Sequence, residues 1–371
     1  MKNLLLGNGV NVQFGGSEFN NTNIVLRTLL YFEDESFPKH IIMSDPIDGK
    51  AYIGFLFLEI RNLLEGELDR YANCNTEREA IEMFKKQYGD RKSLKITDIG
   101  FEDYYLVHDL LCHKLNIDNP EMYNVREALK LCFLSAIYDK GKVNEVYKRY
   151  SSKFIEKLKE YDTIFTTNYD RNVELASGKS VYHIHGDFET RSEVYNPESF
   201  RNKLSDSPCK EYVIDENYAY LYSTALTTYS GSYKQYTITQ HTLANKAIEK
   251  MAKAYVNDDT VRRTVHSWET ERNQLLKNLG ESIELKVANS ELKFQELYPV
   301  KELKDMEGKL DIIGLSPYND YHLFEIINEN EKVQEVCFYY FNETECDIIN
   351  MVLNKKKLLF EEVKKLWKEL R

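Results

Sequence analysis

Two short runs constrain this chain more than anything else in it. Thr163-Ile164-Phe165-Thr166-Thr167 and Val181-Tyr182-His183-Ile184-His185 are β-branched, aromatic and apolar, which predicts two buried strands. The first stops on Asn168, Tyr169 and Asp170; the second stops on His185, ahead of Gly186 and Asp187. Two strands that both end in polar, hydrogen-bonding residues fit the carboxyl edge of an α/β sheet, where such sheets bind ligands.

Other runs extend the sheet. Leu4-Leu5-Leu6 reads as a strand over 3–6, turned by Gly7-Asn8-Gly9, and the pattern returns at 309–314 and at 334–341. Helical spacing predicts helices over 22–32, 51–64, 77–87, 103–116, 120–138 and 142–160, then 240–256, 258–278 and 319–328, and finally 343–353 and 355–370. The last helix is expected to carry Leu359, Val363, Leu366 and Leu370 on one face, flanked by Trp367. No internal repeat or low-complexity linker breaks the chain. The expected fold class is α/β: a Rossmann-like, mostly parallel sheet over residues 1–342. Large helical insertions fall at about 20–160 and 188–309, and a C-terminal helical segment covers 343–371. Tyr212 to Tyr236 holds seven tyrosines without clear periodicity, which suits packing or an interface better than chemistry.

Thr166-Thr167-Asn168-Tyr169-Asp170 and His185-Gly186, with Asn168 and His185 seventeen positions apart, resemble the catalytic core of the sirtuin superfamily. Leu4-Leu5-Leu6-Gly7-Asn8-Gly9-Val10-Asn11 is similar to the glycine loop after the first sirtuin strand. Asp311-Ile312-Ile313-Gly314-Leu315-Ser316 is similar to the Gly-Thr-Ser loop that contacts the dinucleotide. Together the blocks resemble the bacterial sirtuin-like NADases of antiphage defence, as in sirtuin-like/HerA or Thoeris-type systems. More distantly they resemble AbiH-type abortive-infection proteins. The likeness implies an NAD glycohydrolase, with NAD as substrate, splitting it to nicotinamide and ADP-ribose and acting by NAD depletion. It implies Asn168 and His185 as catalytic residues and Gly7, Asn8, Gly9, Asp170, Gly314 and Ser316 as dinucleotide contacts, with Asp170 on the nicotinamide amide. Two departures stand out: Asn11 is near the family's Ser, and Gly314-Leu315-Ser316 lacks its Thr.

The residue chemistry is consistent with that implication. Breaking a nicotinamide–ribose bond passes through an oxocarbenium-like state, and nicotinamide leaves without strong acid. A carboxamide such as Asn168 offers donor and acceptor at fixed geometry, suited to holding water and a ribose hydroxyl. An imidazole such as His185 can take a proton near neutrality. The plainer readings are a turn cap for Asn168, a hydrogen-bonded strand end for His185 and a simple turn for Gly7-Asn8-Gly9. Ser316 is suited to donate to phosphate or ribose, whereas Asn319 and Asp320 read as caps of the following helix. His183-x-His185-x-Asp187 allows a rival metal set, because alternate strand residues share a face. A metal is not expected: such sites need further ligands, and His241 and His266 stand in no ligand motif. The alternative is that His183 buttresses the pocket.

Cysteine usage separates the chain from the deacetylases of the resembled family. Cys74, Cys112, Cys132, Cys209, Cys337 and Cys346 form no Cys-x-x-Cys pair, so the paired ligands of a structural zinc module are lacking. An NAD-dependent protein deacylase is thereby the disfavoured alternative; a non-catalytic nucleotide-binding regulatory subunit is another. Scattered thiols and the lack of a long apolar run lead to the expectation of a cytoplasmic protein without membrane attachment. A net charge of −11 argues against direct nucleic-acid binding, and Lys355-Lys356-Lys357 reads as a solvated helix end. The expected partners are further copies of the chain in a homo-oligomer. The resemblance adds a separately encoded partner such as a HerA-type ATPase, an Argonaute or a phage protein.

Overall fold

The computed structural model describes residues 1–34, 37–42, 49–118, 121–204, 213–229, 231–271 and 274–371. Cys209 and Tyr212 lie outside those residues. Six strands form one all-parallel sheet: β1 (Lys2–Leu6), β2 (Thr163–Thr166), β3 (Tyr182–His183), β4 (Gly308–Ile313), β5 (Val333–Tyr340) and β6 (Lys357–Glu362). Their order is β3-β2-β1-β4-β5-β6, a Rossmann-like arrangement.

Alternation along the strands decides which residue feeds which core. Leu5 is in register with Phe165 on one side and Ile312 on the other, and Ile312 with Phe338. These residues pack one face of the sheet together with Leu323, Phe324, Ile327 and Ile349. Leu4, Leu6, Ile164 and Ile313 point the other way and pack with Val10, Phe154, Leu158 and Trp367. Both faces are covered, which is why the strands read as unbroken apolar runs.

Two helical insertions stand on this frame. The first joins β1 to β2 and has a core of its own, including Ile53, Leu56, Phe84, Tyr104 and Phe133. The second joins β3 to β4; its helices Ser232–Asn257, Asp259–Ser267 and Gln274–Ala288 meet around Ile248, Val265 and Ile283.

Some sequence expectations need correction. The helix expected over 142–160 is a kinked run of short 3-10 turns over Asp139–Arg149 followed by a helix over Ser152–Lys159, with positive φ at Lys140 and Gly141 marking the kink. The helix expected over 258–278 ends at Ser267, passes through a 3-10 turn and restarts at Gln274. The larger correction is at the C-terminus. Lys357–Glu362 is a strand, and only Val363–Glu369 is helical. β5 is therefore not the closing strand, and the C-terminal segment supplies an edge of the sheet. The cause is pairing: Leu358 and Phe360 register with Val336 and Phe338, and Glu335 lies 2.7 Å from both Lys309 and Lys357 across three strands. Those two ammonium groups hold the Glu335 carboxyl down to about 2. Val363, Leu366 and Trp367 then bury against the core, so that face of the terminal helix is internal.

The order reverses between β1 and β4: the strands that follow each of them lie on opposite sides. A crevice opens there at the carboxyl ends, which is where open α/β sheets take ligands.

Candidate active site

The loops after β1 and β4 are joined backbone to backbone. Gly7 N–H donates to Ile313 O and Gly9 N–H to Gly314 O, each at 2.9 Å. A Cβ on Gly7 would lie 2.3 Å from Gly314 O, and one on Gly9 would lie 2.6 Å from Gly314 Cα. Gly314 has φ +72, so it too favours glycine. The glycines are thus first a packing requirement between two loops. Asn8, Gly9, Gly314 and Ser316 line the crevice, whereas Gly7, expected as a dinucleotide contact, is not among its lining residues. The Asn8 amide donates to Phe19 O at 2.7 Å, and Ser316 Oγ accepts from the Tyr318 N–H at 3.4 Å.

β2 delivers Asn168 and β3 delivers His185 into the same crevice, a cavity of about 310 Å³ that Asp170, Asn319 and Asp320 also line. Asn168 is buried, with its amide Nδ2 3.4 Å from Gly7 O and its N–H on Thr166 Oγ1. Asp170 has its carboxylate already engaged: Asn11 Nδ2 donates to one oxygen at 2.6 Å and the Asn172 N–H to the other at 3.1 Å. Burial nevertheless pushes its carboxyl above the usual range, against those donors.

The two strand histidines separate. His183 Nδ1 donates to Asn168 O at 2.8 Å, and its Nε2 meets the Glu174 carboxylate at 2.6 Å. Burial opposes its charge, yet Glu174 outweighs burial and the ring titrates above its ordinary value. It buttresses the Asn168 backbone. His185 instead turns to His322, Nε2 to Nε2 at 3.0 Å, with the rings stacked. Asp187 is taken by the N–H groups of Glu189 and Thr190. The three residues of the rival metal set therefore point to different partners and do not converge. Among the described residues, one group of three ligand types lies close together, His266, Glu269 and Glu284, on the surface of the second insertion.

Gly186 explains the turn after His185. Its φ is +75, and a Cβ there would sit 2.2 Å from Thr224 O. The segment 224–228 crosses over this glycine, with the Leu226 N–H bonded to His185 O and the Tyr169 hydroxyl donating to Leu226 O.

The remainder of the site comes from residues that the sequence did not single out for chemistry. Lys234, on the helix Ser232–Asn257, is 2% exposed. Its Nζ lies 2.6 Å from Glu102 and 3.8 Å from Asp320. Asp320 Oδ1 is 3.9 Å from His185 Nδ1. Asp320 precedes the helix Tyr321–Glu329, but its side chain makes no cap bond, contrary to the capping expectation. Burial raises the Asp320 carboxyl to about 7; Lys234 pulls it down and Glu102 pushes it further up. Burial likewise raises Glu102 against the pull of Lys234. Lys234 is held above its ordinary value because the surrounding carboxylates outweigh its burial. Burial first, then the Lys234 charge, drives His185 and His322 well below the ordinary imidazole value, so both rings are neutral at pH 7. Glu102 Oε2 and His322 Nδ1 are buried without a hydrogen-bond partner among the described residues.

Comparison of the chain with protein-family models, curated proteins and solved structures finds no match. What the fold and site define is a Rossmann-like α/β protein with a polar cavity at its topological switch point. Among the described residues no helix is long and apolar enough to cross a membrane.

Proposed function

We propose that this protein is an NAD glycohydrolase that cleaves the nicotinamide–ribose bond in the cavity at the β1/β4 crevice. The observation that carries the reading is the meeting of Asn168 and His185, from two different strand ends, in one cavity beside the Gly9 and Gly314–Ser316 loops. That crevice is where dinucleotides lie in sheets of this order. Asn168 offers a carboxamide to a ribose hydroxyl and to water. His185 is neutral, so it adds no repulsion to a cationic nicotinamide ring. Glu102 lies against the single cation Lys234 and offsets its charge, and Asp320 adds a negative charge when it ionises, which suits an oxocarbenium-like centre. Asp170, by contrast, reads as a scaffold whose carboxylate is largely engaged by Asn11 and Asn172.

By resemblance the activity would serve antiphage defence through NAD depletion, in a homo-oligomer docked on a partner such as a HerA-type ATPase. The exposed apolar residues Leu26, Leu30, Phe55 and Leu58 on the helices Asn21–Tyr31 and Gly49–Leu64 are surface available to such assembly. Light scattering at micromolar concentration tests this part: mass well above 43.7 kDa supports it, and a strict monomer counts against it.

A second reading, nucleotide binding without turnover, is favoured by one feature: the His185 Nε2 is already occupied by His322. Nicotinamide release from NAD, followed by chromatography with and without Asn168→Ala, separates the two. Stoichiometric NAD binding with no nicotinamide formed would favour the second reading. Turnover that survives both Asn168→Ala and His185→Ala, with the fold intact, would sink the first.

A further inference from the structure

The cavity's ionisable groups come from every element around it. Glu102 stands at the start of the helix Asp103–Leu115 in the first insertion, Lys234 on the helix Ser232–Asn257 in the second, Asp170 beyond β2, His185 beyond β3 and Asp320 beyond β4, with His322 behind His185. Asp103, on the first of those helices, is a further buried acid, bonded to the Tyr88 hydroxyl at 2.7 Å. Tyr169 also faces the group, with its hydroxyl committed to Leu226 O. Among Glu102, Asp320 and Lys234, two carboxylates share one ammonium group. Fully ionised they would leave a buried net charge of one negative, and like charges at such range resist joint ionisation. Distance decides which carboxylate yields. Glu102 makes the close ion pair at 2.6 Å, while Asp320 stays at 3.8 Å from the same nitrogen. Asp320 is the loosely held member and so the one that carries the exchangeable proton.

We propose that Asp320 is the catalytic base of this cavity, that Lys234 and Glu102 are positioning residues that set its affinity for a proton, and that His185 is its uncharged neighbour. The proposal rests on the NAD-hydrolysis reading. In the step, the C1′–N bond of the nicotinamide ribose breaks and its electron pair leaves on nicotinamide. A water oxygen forms the new C1′–O bond, and one water proton passes to the Asp320 carboxylate, from which it returns to solvent. One NAD and one water thus give nicotinamide, ADP-ribose and one proton.

Two features of His185 support this assignment over His185 itself as the base. Its Nε2 is spent on His322, and its Nδ1 faces Asp320. Burial and the Lys234 charge also make the ring a poor proton acceptor, whereas the Asp320 carboxyl, raised to about 7, is matched to neutral pH.

The test is the pH dependence of kcat and KM for NAD hydrolysis from pH 5 to 9 in the full chain, for wild type, Asp320→Asn, Lys234→Arg and Lys234→Met. Carboxyl NMR of 13C-aspartate-labelled protein accompanies it. Wild type should lose activity in a single-proton limb as pH falls below about 7, mirrored by an aspartate resonance that titrates in the same range. That resonance is told apart from those of Asp103, raised by burial to about 7, and Asp109, raised by burial to about 6, by its loss in Asp320→Asn. Asp320→Asn should lower kcat at least 100-fold with KM changed less than about threefold, abolish the limb and remove that resonance. Lys234→Met should move the limb to higher pH, because the cation that favours ionised Asp320 is gone, and Lys234→Arg should restore its position. NAD cleaved normally by Asp320→Asn, with the acidic limb intact, overturns the assignment while leaving NAD hydrolysis standing. A wild type that leaves NAD intact overturns both, and near-neutral aspartate resonances that all survive Asp320→Asn overturn the assignment whatever the turnover.

Discussion

The floor and the roof of the cavity are held by different forces. The floor is the sheet edge: strands buried on both faces, and loops after β1, β3 and β4 packed glycine to backbone so tightly that a single methyl group does not fit. The roof is two helical insertions meeting through an ionic cluster in which Lys234 bridges Glu102 and Asp320. A floor of apolar packing tolerates wide changes of pH and salt but no change of shape. A roof of buried charge tolerates modest changes of shape but depends on every charge keeping its partner. Function at such a site needs both, one for position and one for proton affinity.

The largest effect should come from breaking the roof. Lys234→Met strands Glu102 and Asp320 together in a buried space, and loss of one member of a buried ion cluster costs roughly 3–5 kcal/mol. Urea unfolding at pH 8 should report that loss. A cost below about 1 kcal/mol would mean that the cluster is hydrated and the roof open. Next comes Asn168→Ala, expected to cost about 100-fold in NAD hydrolysis, about 2.7 kcal/mol of barrier. Its melting temperature should stay near wild type because the backbone remains held by His183. Gly186→Ala attacks the floor. The positive φ and the contact with Thr224 O should cost roughly 1–3 kcal/mol, read by thermal unfolding. Equal stability would mean that the 224–228 segment moves aside freely.

The two regions also differ in their response to pH. The Asp320 carboxyl titrates near 7 in the fold, against an ordinary carboxyl value of about 3.9 in the unfolded chain. The folded state therefore binds the proton more tightly, and this group's contribution to stability falls as pH rises between those two values. Asp320→Asn should stabilise the protein relative to wild type at pH 8 and lose that advantage by pH 4. A constant difference across the range would remove Asp320 as the titrating group. The smallest effect is expected at the sheet's outer edge. Leu359→Ser on β6 changes an exposed side chain and should stay within about 0.5 kcal/mol, whereas Leu366→Ala in the buried face beside it should cost roughly 2–5 kcal/mol.

The floor was legible in the sequence. Leu4–Leu6, Ile164–Phe165 and Ile312–Ile313 are local apolar runs, and a strand buried on both faces writes itself as such a run. The polar residues that stop each run, Asn168, His185 and Ser316, were legible for the same reason, since a strand end is a local event. β6 was not, because Lys357–Glu362 carries charges at both ends and alternates only weakly. It is a strand because β5 offers it a partner and Glu335 offers its lysine a counter-charge. The fate of His183 was not legible either. Its pairing with Glu174 depends on the helix Asn172–Ser177 folding back beside β3.

Glu102 and Lys234 lie 132 positions apart in insertions whose local pattern is simply helical. Nothing in either neighbourhood sets them apart from the other acids and lysines of the chain. Asp320 sits where a helix cap belongs, yet its side chain makes no cap bond and lies 3.8 Å from Lys234 at the cavity. Hydrophobic periodicity is a property of consecutive residues, so the chain by itself determined the central strands of the sheet and the strand ends at its crevice. A proton affinity is a property of the charges and burial around a group in space, so only the tertiary structure decided which carboxylate in the cavity holds a proton near neutrality.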